Sequence, residues 1–381
     1  MATDESETKR RGRLNFLWTI LGATVVSLVI LRIAQRPPTS VRGPLKILTP
    51  PFTANKAELI QELRDRKFQV LDTQLSAYQK SFEENVLEEG NLSLAFDAFS
   101  FTDPALSPIF DDWVKNEPTS YPAHLAHAKY LLALGWQARG HRFADKTSDQ
   151  QMSEMQRLFG EGVKEAAAAI KLNPKASIAY ASIIDAARGV SDYKTMEGAY
   201  AASLKSVPLS LSTRVAVLSA LRPRWGGSYE AMEKFADEAQ KYAAQNPRLE
   251  SLKGFADQDK GGIAWDDGNL KQAILDYNQA LEKGGDFALA YSQRGSVYDR
   301  LHRYDDALED LGRANRLRPQ EPSTLQMLAY VYAHLSRPKD TLAVIQEYQQ
   351  FALLPPDLVD LERWAQDFGA GTAPPVKTGG D

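Results

Sequence analysis

Near the C-terminus of this 381-residue chain, small and aromatic residues recur with a spacing of 34. Tyr291, Gly295, Tyr298, Ala307, Leu311, Ala314 and Pro319 make the clearest copy. One period upstream stand Gly261, Ala264, Ala273, Tyr277 and Ala280, and one period downstream Leu325, Leu328, Ala329, Tyr332, Ile345 and Tyr348. The residue types suit two antiparallel helices. Gly295 and Ala307 permit close approach, Tyr298 and Leu311 fill the space beside them, and Pro319 stops the second helix because it cannot extend the hydrogen-bond ladder. A lone hairpin cannot bury its apolar face, so successive copies must stack. The pattern therefore predicts an all-α fold, an α-solenoid of helical hairpins.

These residues resemble tetratricopeptide repeats over residues 251–368. Two positions depart from the pattern: Arg294 takes an apolar position in the clearest copy, and Thr341 replaces the small apolar residue in the last. The resemblance implies a scaffold or adaptor that holds a protein or peptide partner, and it implies no catalytic activity. Its concave face, formed by the first helix of each unit, would carry Gln258, Trp265 and Asp266, then Leu289, Ser292, Ser296, Asp299 and Arg300, then Gln326, Tyr330 and His334. A mixed polar and aromatic groove suits an extended or helical peptide, although the same side chains also suit simple solvation.

Upstream, Asn173-Pro174, Val207-Pro208 and Asn246-Pro247 each close an Ala-rich helix, such as Glu165 to Leu172 or Ala236 to Ala244. Divergent helical hairpins are thus expected over 55–250. Leu59, Leu63, Val70, Leu71, Leu75, Tyr78, Phe82 and Val86 recur at three- and four-residue spacing, as an amphipathic helix or helix pair requires. Trp113-Val114-Lys115 with Pro118, Tyr121-Pro122-Ala123, Trp136-Gln137-Ala138-Arg139-Gly140 and Arg222-Pro223-Arg224-Trp225-Gly226-Gly227-Ser228 resemble an uncharacterised bacterial domain family found fused to such repeats. That likeness implies a helical envelope or cytosolic protein and no established activity.

Leu14 to Leu31 holds no charge and is flanked by Lys9, Arg10, Arg11 and Arg13 before and Arg32 and Arg36 after. Its length matches the hydrocarbon core of a bilayer. The expectation is a basic tail over 1–13, one transmembrane helix over 14–34, a Pro-rich linker over 35–54 and a disordered tail over 369–381. Basic residues are balanced across the apolar run, so charge alone does not orient it. A short N-terminal tail and a long downstream domain favour an uncleaved signal anchor in the inner membrane, with the soluble domain in the periplasm. The absence of cysteine fits an oxidising compartment and is equally compatible with the cytosol.

Residues 1–46 hold eight Lys and Arg against three acids, so the chain's net charge of −4 leaves −9 for the remainder. A domain that acidic is a poor partner for nucleic acid. Nucleotide-binding loops, nucleophile elbows and cysteine nucleophiles are missing from the sequence. No cofactor and no metal is expected. His124 and His127, followed by His141, lack companion ligands, and the calcium-like start Asp257-x-Asp259-x-Gly261-Gly262 has Gly268 where the closing Glu belongs. The remaining candidate is the corner from Arg222 to Ser228 with Arg139. Ser228 would cap a helix over Tyr229 to Ala244, and Arg222, Arg224 and the backbone of Gly226 and Gly227 would favour an anion, making the chain a small-molecule receptor or enzyme. The competing reading is structural: Trp225 plugs the core, the glycines make a tight turn, and Trp136 is core with Arg139 paired to an acid.

Overall fold

The computed structural model describes residues 48, 50–140 and 147–369, and those from 50 onward belong to one compact unit. The expected tail, anchor and most of the linker, together with His141 and the C-terminal tail from 370, lie outside the described residues. No helix among the described residues is long and apolar enough to cross a membrane.

The described residues are helical, with no strand. Four helices come first: α1 (Lys56–Arg64), α2 (Phe68–Glu84), α3 (Glu89–Asp97) and α4 (Ser107–Asn116). Six hairpins follow: α5 (Tyr121–Arg139) with α6 (Asp149–Leu172), α7 (Ser177–Gly189) with α8 (Tyr193–Ser206), α9 (Leu211–Ala220) with α10 (Tyr229–Ala239), α11 (Phe255–Asp266) with α12 (Leu270–Gly284), α13 (Ala288–Arg300) with α14 (Tyr304–Leu317), and α15 (Pro322–His334) with α16 (Pro338–Gln349). A last helix, α17 (Pro356–Gly369), packs on α15 and α16. Each start has a local cause. Ser148 and Gln151 form a reciprocal capping box on α6, Ser120, Ser210 and Ser228 cap α5, α9 and α10, and α15, α16 and α17 each begin at a proline.

The close approach expected in the repeats is present. A Cβ built on Gly295 would stand 2.8 Å from Leu311 Cγ, and one on Gly261 would stand 2.6 Å from the Tyr277 ring. Arg294, the departure from the apolar pattern, is fully buried and makes a two-pronged ion pair with Asp310, Nε to Oδ2 at 2.7 Å and Nη2 to Oδ1 at 2.8 Å. Its remaining prong donates to Asn278 Oδ1 at 2.6 Å. A buried charge with every arm occupied is tolerated where a lone one would not be.

Two local expectations need correction. Val70 is 42% exposed, because α2 starts at Phe68 and its inward stripe runs through Phe68, Leu71, Leu75 and Phe82. The helix after Ser228 stops at Ala239, not Ala244. The Gln240 side chain donates to Ala236 O at 2.8 Å and Leu249 O at 3.0 Å, and the backbone tightens into a 3₁₀ turn over Gln240–Tyr242.

Several of the turns that join successive hairpins are held by α1, α2 and α3 and by the turn between α2 and α3. Gln79 donates to Lys175 O at 2.9 Å. The buried carboxylate of Glu89 accepts from Ser210 Oγ at 2.5 Å and from the backbone N–H groups of Leu211 and Ser212 at 2.7 and 3.3 Å, at the N-terminus of α9. Arg248 donates to Leu87 O at 3.4 Å, and Asp97 pairs with Arg318 at 2.7 Å. Lys56 donates its backbone N–H to Gln320 Oε1 at 2.9 Å and its ammonium to Gln320 O at 2.8 Å. Nearly every residue of α3 is buried, because it packs on α5, α7 and α9, the first helices of three successive hairpins.

Two stability changes follow. Gly295→Ala forces Leu311 aside and should cost about 1–3 kcal/mol in chemical denaturation. Glu89→Ala strands several buried donors and should cost about 3 kcal/mol or more.

Candidate functional site

The two motifs that stand far apart in sequence meet in space. The indoles of Trp136 on α5 and Trp225 lie 6.1 Å apart, edge to face, and the guanidinium of Arg188 on α7 lies 4.7 Å from the first ring and 4.6 Å from the second. Asp185 accepts from the Trp136 indole N–H at 2.7 Å and also pairs with Arg188. Arg139 adds a second guanidinium 5.5 Å from the Trp225 ring. Sequence reasoning found both tryptophans and missed Arg188 and Asp185, which carry no motif; a single helical turn with an acid three residues before an arginine was their only trace.

The corner itself is a turn. Gly226 has φ of 88°, and a Cβ on Gly227 would stand 2.0 Å from Leu221 O, so neither position accepts a side chain without rearrangement. Ser228 caps α10 through Ala231 N at 3.1 Å, as expected. Trp225 is not a core plug: it is half-buried, with its backbone carbonyl accepting from the Tyr193 hydroxyl at 2.9 Å and its ring against Arg188. Trp136 is half-buried as well, but its ring packs on the buried Phe159, 5.1 Å away, while its N–H reaches Asp185 at the edge of that cluster.

The arginines of the corner share a single buried carboxylate. Arg224 pairs with Asp259 at 2.7 Å and Arg222 approaches the same carboxylate at 3.4 Å, while the Tyr229 hydroxyl donates to it at 3.2 Å. Arg222 also donates to Gln258 Oε1 at 3.2 Å. Burial lowers the Arg222 guanidinium's affinity for its proton, Asp259 opposes that, and burial also pushes the Tyr229 phenol up to about 12. Asp259 is 1% exposed, so an incoming anion would have to displace a buried carboxylate. The arrangement ties the corner to α11.

Most of the expected groove residues serve as links between repeats. Gln258 is buried and donates to Gln293 at 2.6 Å. Ser292, also buried, shares a hydrogen bond with Thr324 at 3.0 Å, and Ser296 donates to Ser292 O at 3.1 Å. Asp299 faces His334 Nδ1 at 2.8 Å. Gln326 and Tyr330 both donate to Asp357 of α17, Gln326 at 2.7 Å. Trp265 is half-buried. Asp266 and Arg300 are exposed and Leu289 is 39% exposed, so these three remain open on the first-helix face of the later repeats.

The family profile described as "Psidin, N-terminal TPR repeats region" matches residues 264–353. Residues 264–353 are tetratricopeptide repeats. Human tetratricopeptide repeat protein 28 is 34% identical over 77 residues, which is 20% of this chain and 3% of that protein. Human tetratricopeptide repeat protein 12 is 37% identical over 81 residues, 21% of this chain and 11% of that one. The chain therefore spans only a small part of these relatives' length. A second profile, a domain of unknown function (DUF4034), matches residues 55–192, from the start of α1 past the end of α7, and leaves Arg222 to Ser228 unmatched. Among solved structures, yeast Tom70 aligns at a TM-score of 0.44 with 13% identity, covering 88% of this chain and 67% of its own. PilW, described as a type IV pilus biogenesis factor, aligns at 0.29 with 14% identity, covering 52% of this chain and 88% of its own. The repeat assignment rests on the profile, the human relatives and the packing of Gly261 and Gly295.

His124 and His127 on α5 occupy different environments. His124 Nδ1 lies 2.5 Å from Glu165, which raises its pKa above 6.5. Burial lowers that of His127 below the same value. Among the described residues, no three His, Cys, Asp or Glu side chains converge on a metal-sized site.

Asp259→Ala should destabilise the fold by about 2 kcal/mol, since it leaves Arg222 half-buried and unpaired while Arg224 regains water. Inorganic phosphate should leave the wild-type melting temperature unchanged; a rise of several degrees that disappears in Arg224→Ala would restore the anion reading. A raised folded-state pKa stabilises the native state below the unfolded value and loses that contribution as pH climbs through the folded one. His124→Gln should therefore cost more stability at pH 5.5 than at pH 8, read by denaturation at the two values.

Proposed function

We propose that this chain is a membrane-anchored tetratricopeptide scaffold that holds a protein partner on the first helices of its later repeats. The observation that carries the reading is the division of the first-helix face. α3 occupies it across α5, α7 and α9, whereas Leu289, Asp266 and Arg300 stay exposed farther along. A partner of extended or helical form would lie over these residues, with Leu289 as the apolar contact and the two charges fixing register. The arginine corner, tied to α11 through the buried Asp259, supports a structural role, and the scaffold reading needs no catalytic group.

The anchor is Leu14 to Leu31, supported by its length and by its basic flanks. The soluble domain is assigned to the periplasmic side of a bacterial inner membrane. That assignment is supported by a short basic N-terminal tail and a long downstream domain.

Both parts are open to test in the same cells. A photo-crosslinking residue at Leu289 or Arg300 should give one reproducible adduct in the full-length protein, and the same residue on the outer surface at Lys339 should not. Equal adducts at all three sites, or none, would remove the partner face. Thr372→Cys introduces the chain's first thiol; labelling of intact cells by a membrane-impermeant maleimide is expected, and labelling only after lysis would place the domain in the cytosol.

A further inference from the structure

A cleft of about 580 Å³ lies between α4, α5 and α6, within the size range of ligand sites and away from the repeat face. Its floor includes Leu131, Leu134 and Leu158, and its walls carry four carboxylates, Asp111, Glu154, Glu161 and Glu165. Three of these are engaged: Arg157 pairs with Glu154 at 2.7 Å and Glu161 at 2.9 Å, and His124 takes Glu165. Asp111, 67% exposed, has only His127 as an ion-pair neighbour among the described residues, at 3.8 Å and beyond hydrogen-bond length. Lys164 is the one further Lys or Arg among the described lining residues, so their Asp, Glu, Lys and Arg side chains sum to a charge of −2.

His127 gives this cluster a direction. The residue is 8% exposed, lines the cleft, and its Nδ1 is enclosed without a hydrogen-bond partner. The ring is stacked on Phe110 at 5.8 Å, which fixes its plane and turns Nε2 toward Asp111. An under-bonded imidazole on an apolar floor beside an unengaged carboxylate leaves polar capacity that packing does not use. The matching group is a cation on a short apolar stem. Its charge would meet Asp111, its N–H the Nε2 edge of the imidazole that faces Asp111, and its methylenes the leucines.

We propose that this cleft binds an alkylammonium or guanidinium group, carried either by a free amine or by a lysine or arginine side chain of another protein. The site does not depend on the repeat face.

The test uses the purified full chain, calorimetric titration, and three probes: n-butylamine, n-butanol as its uncharged counterpart, and an acetylated, amidated leucyl-lysyl-leucine peptide. Binding by the amine or the peptide, with n-butanol weaker by roughly tenfold or more, is expected. Asp111→Asn should weaken the cationic probes by about fivefold or more without shifting the melting temperature, since Asp111 is largely exposed. Ala138→Trp, which fills the cleft mouth, should abolish binding. A peptide much tighter than the amine identifies a protein side chain as the ligand, and equal affinities identify a free amine; either sustains the site. Absence of binding by both cationic probes, equal binding of n-butanol, or affinity indifferent to Asp111→Asn would overturn the proposal.

Discussion

Two buried charges of opposite sign each grip the turn between α8 and α9, and much of the architecture depends on that grip. Glu89 and Arg214 are each 1% exposed. The carboxylate accepts from the N-terminus of α9, while the guanidinium donates to the carbonyls of Ser210 at 2.7 Å and Pro208 at 2.6 Å and lies 5.0 Å from the Tyr242 ring. Each ion is tolerated there because the turn supplies its hydrogen-bond partners. Between them they satisfy a turn that is otherwise a gap between hairpins, and Glu89 fixes α3 against the array. Asp97 repeats the device farther along. Burial by itself would raise its carboxyl, but Lys129 and Arg318, with Lys56 behind them, outweigh that and hold it well below the usual carboxylate range.

A plain repeat array is nearly one-dimensional, each unit touching only its neighbours, so its ends can fray independently. Here the first helices break that rule. Lys56 reaches Gln320 across 264 positions of sequence, and Gln79 reaches Lys175 across 96. Contacts of that separation couple units that do not touch each other, so loosening one turn is resisted through α1–α3 at several others. The same separations carry a kinetic cost, because long loops must close before any of these bonds can form.

The repeats were legible because their geometry is local. Gly261 and Gly295 announce a helix crossing within 34 residues, and proline after Arg318 marks the stop. Arg294 read as a flaw because its partners, Asp310 and Asn278, lie on other helices. The groove residues were placed by register alone, and register cannot tell an open side chain from one linked to the next repeat; hence Leu289 and Ser292, three apart on α13, end with opposite fates. At the corner, Gly226, Gly227 and Ser228 behave as their types dictate. Asp259, which both arginines share, was visible only as part of a rejected calcium-like string. The binding of α3 to three hairpins had no sequence signal beyond an unusually apolar short helix, Leu92 to Phe96.

That short helix also bears on where a partner can sit. Leu92, Leu94, Ala95 and Phe96 are at most 2% exposed, and lifting α3 away would expose all four and strand Glu89 at once. Burial of each large side chain contributes about 2 kcal/mol, and an orphaned buried carboxylate costs several more. A peptide competing for the α5–α9 face would have to supply all of that before gaining any affinity, whereas one lying on α11 and α13 displaces only water from Leu289 and Arg300. The chain's own N-terminal layer thus covers the first helices of three of the six hairpins, and under the scaffold proposal this leaves the later repeats as the surface open to a partner.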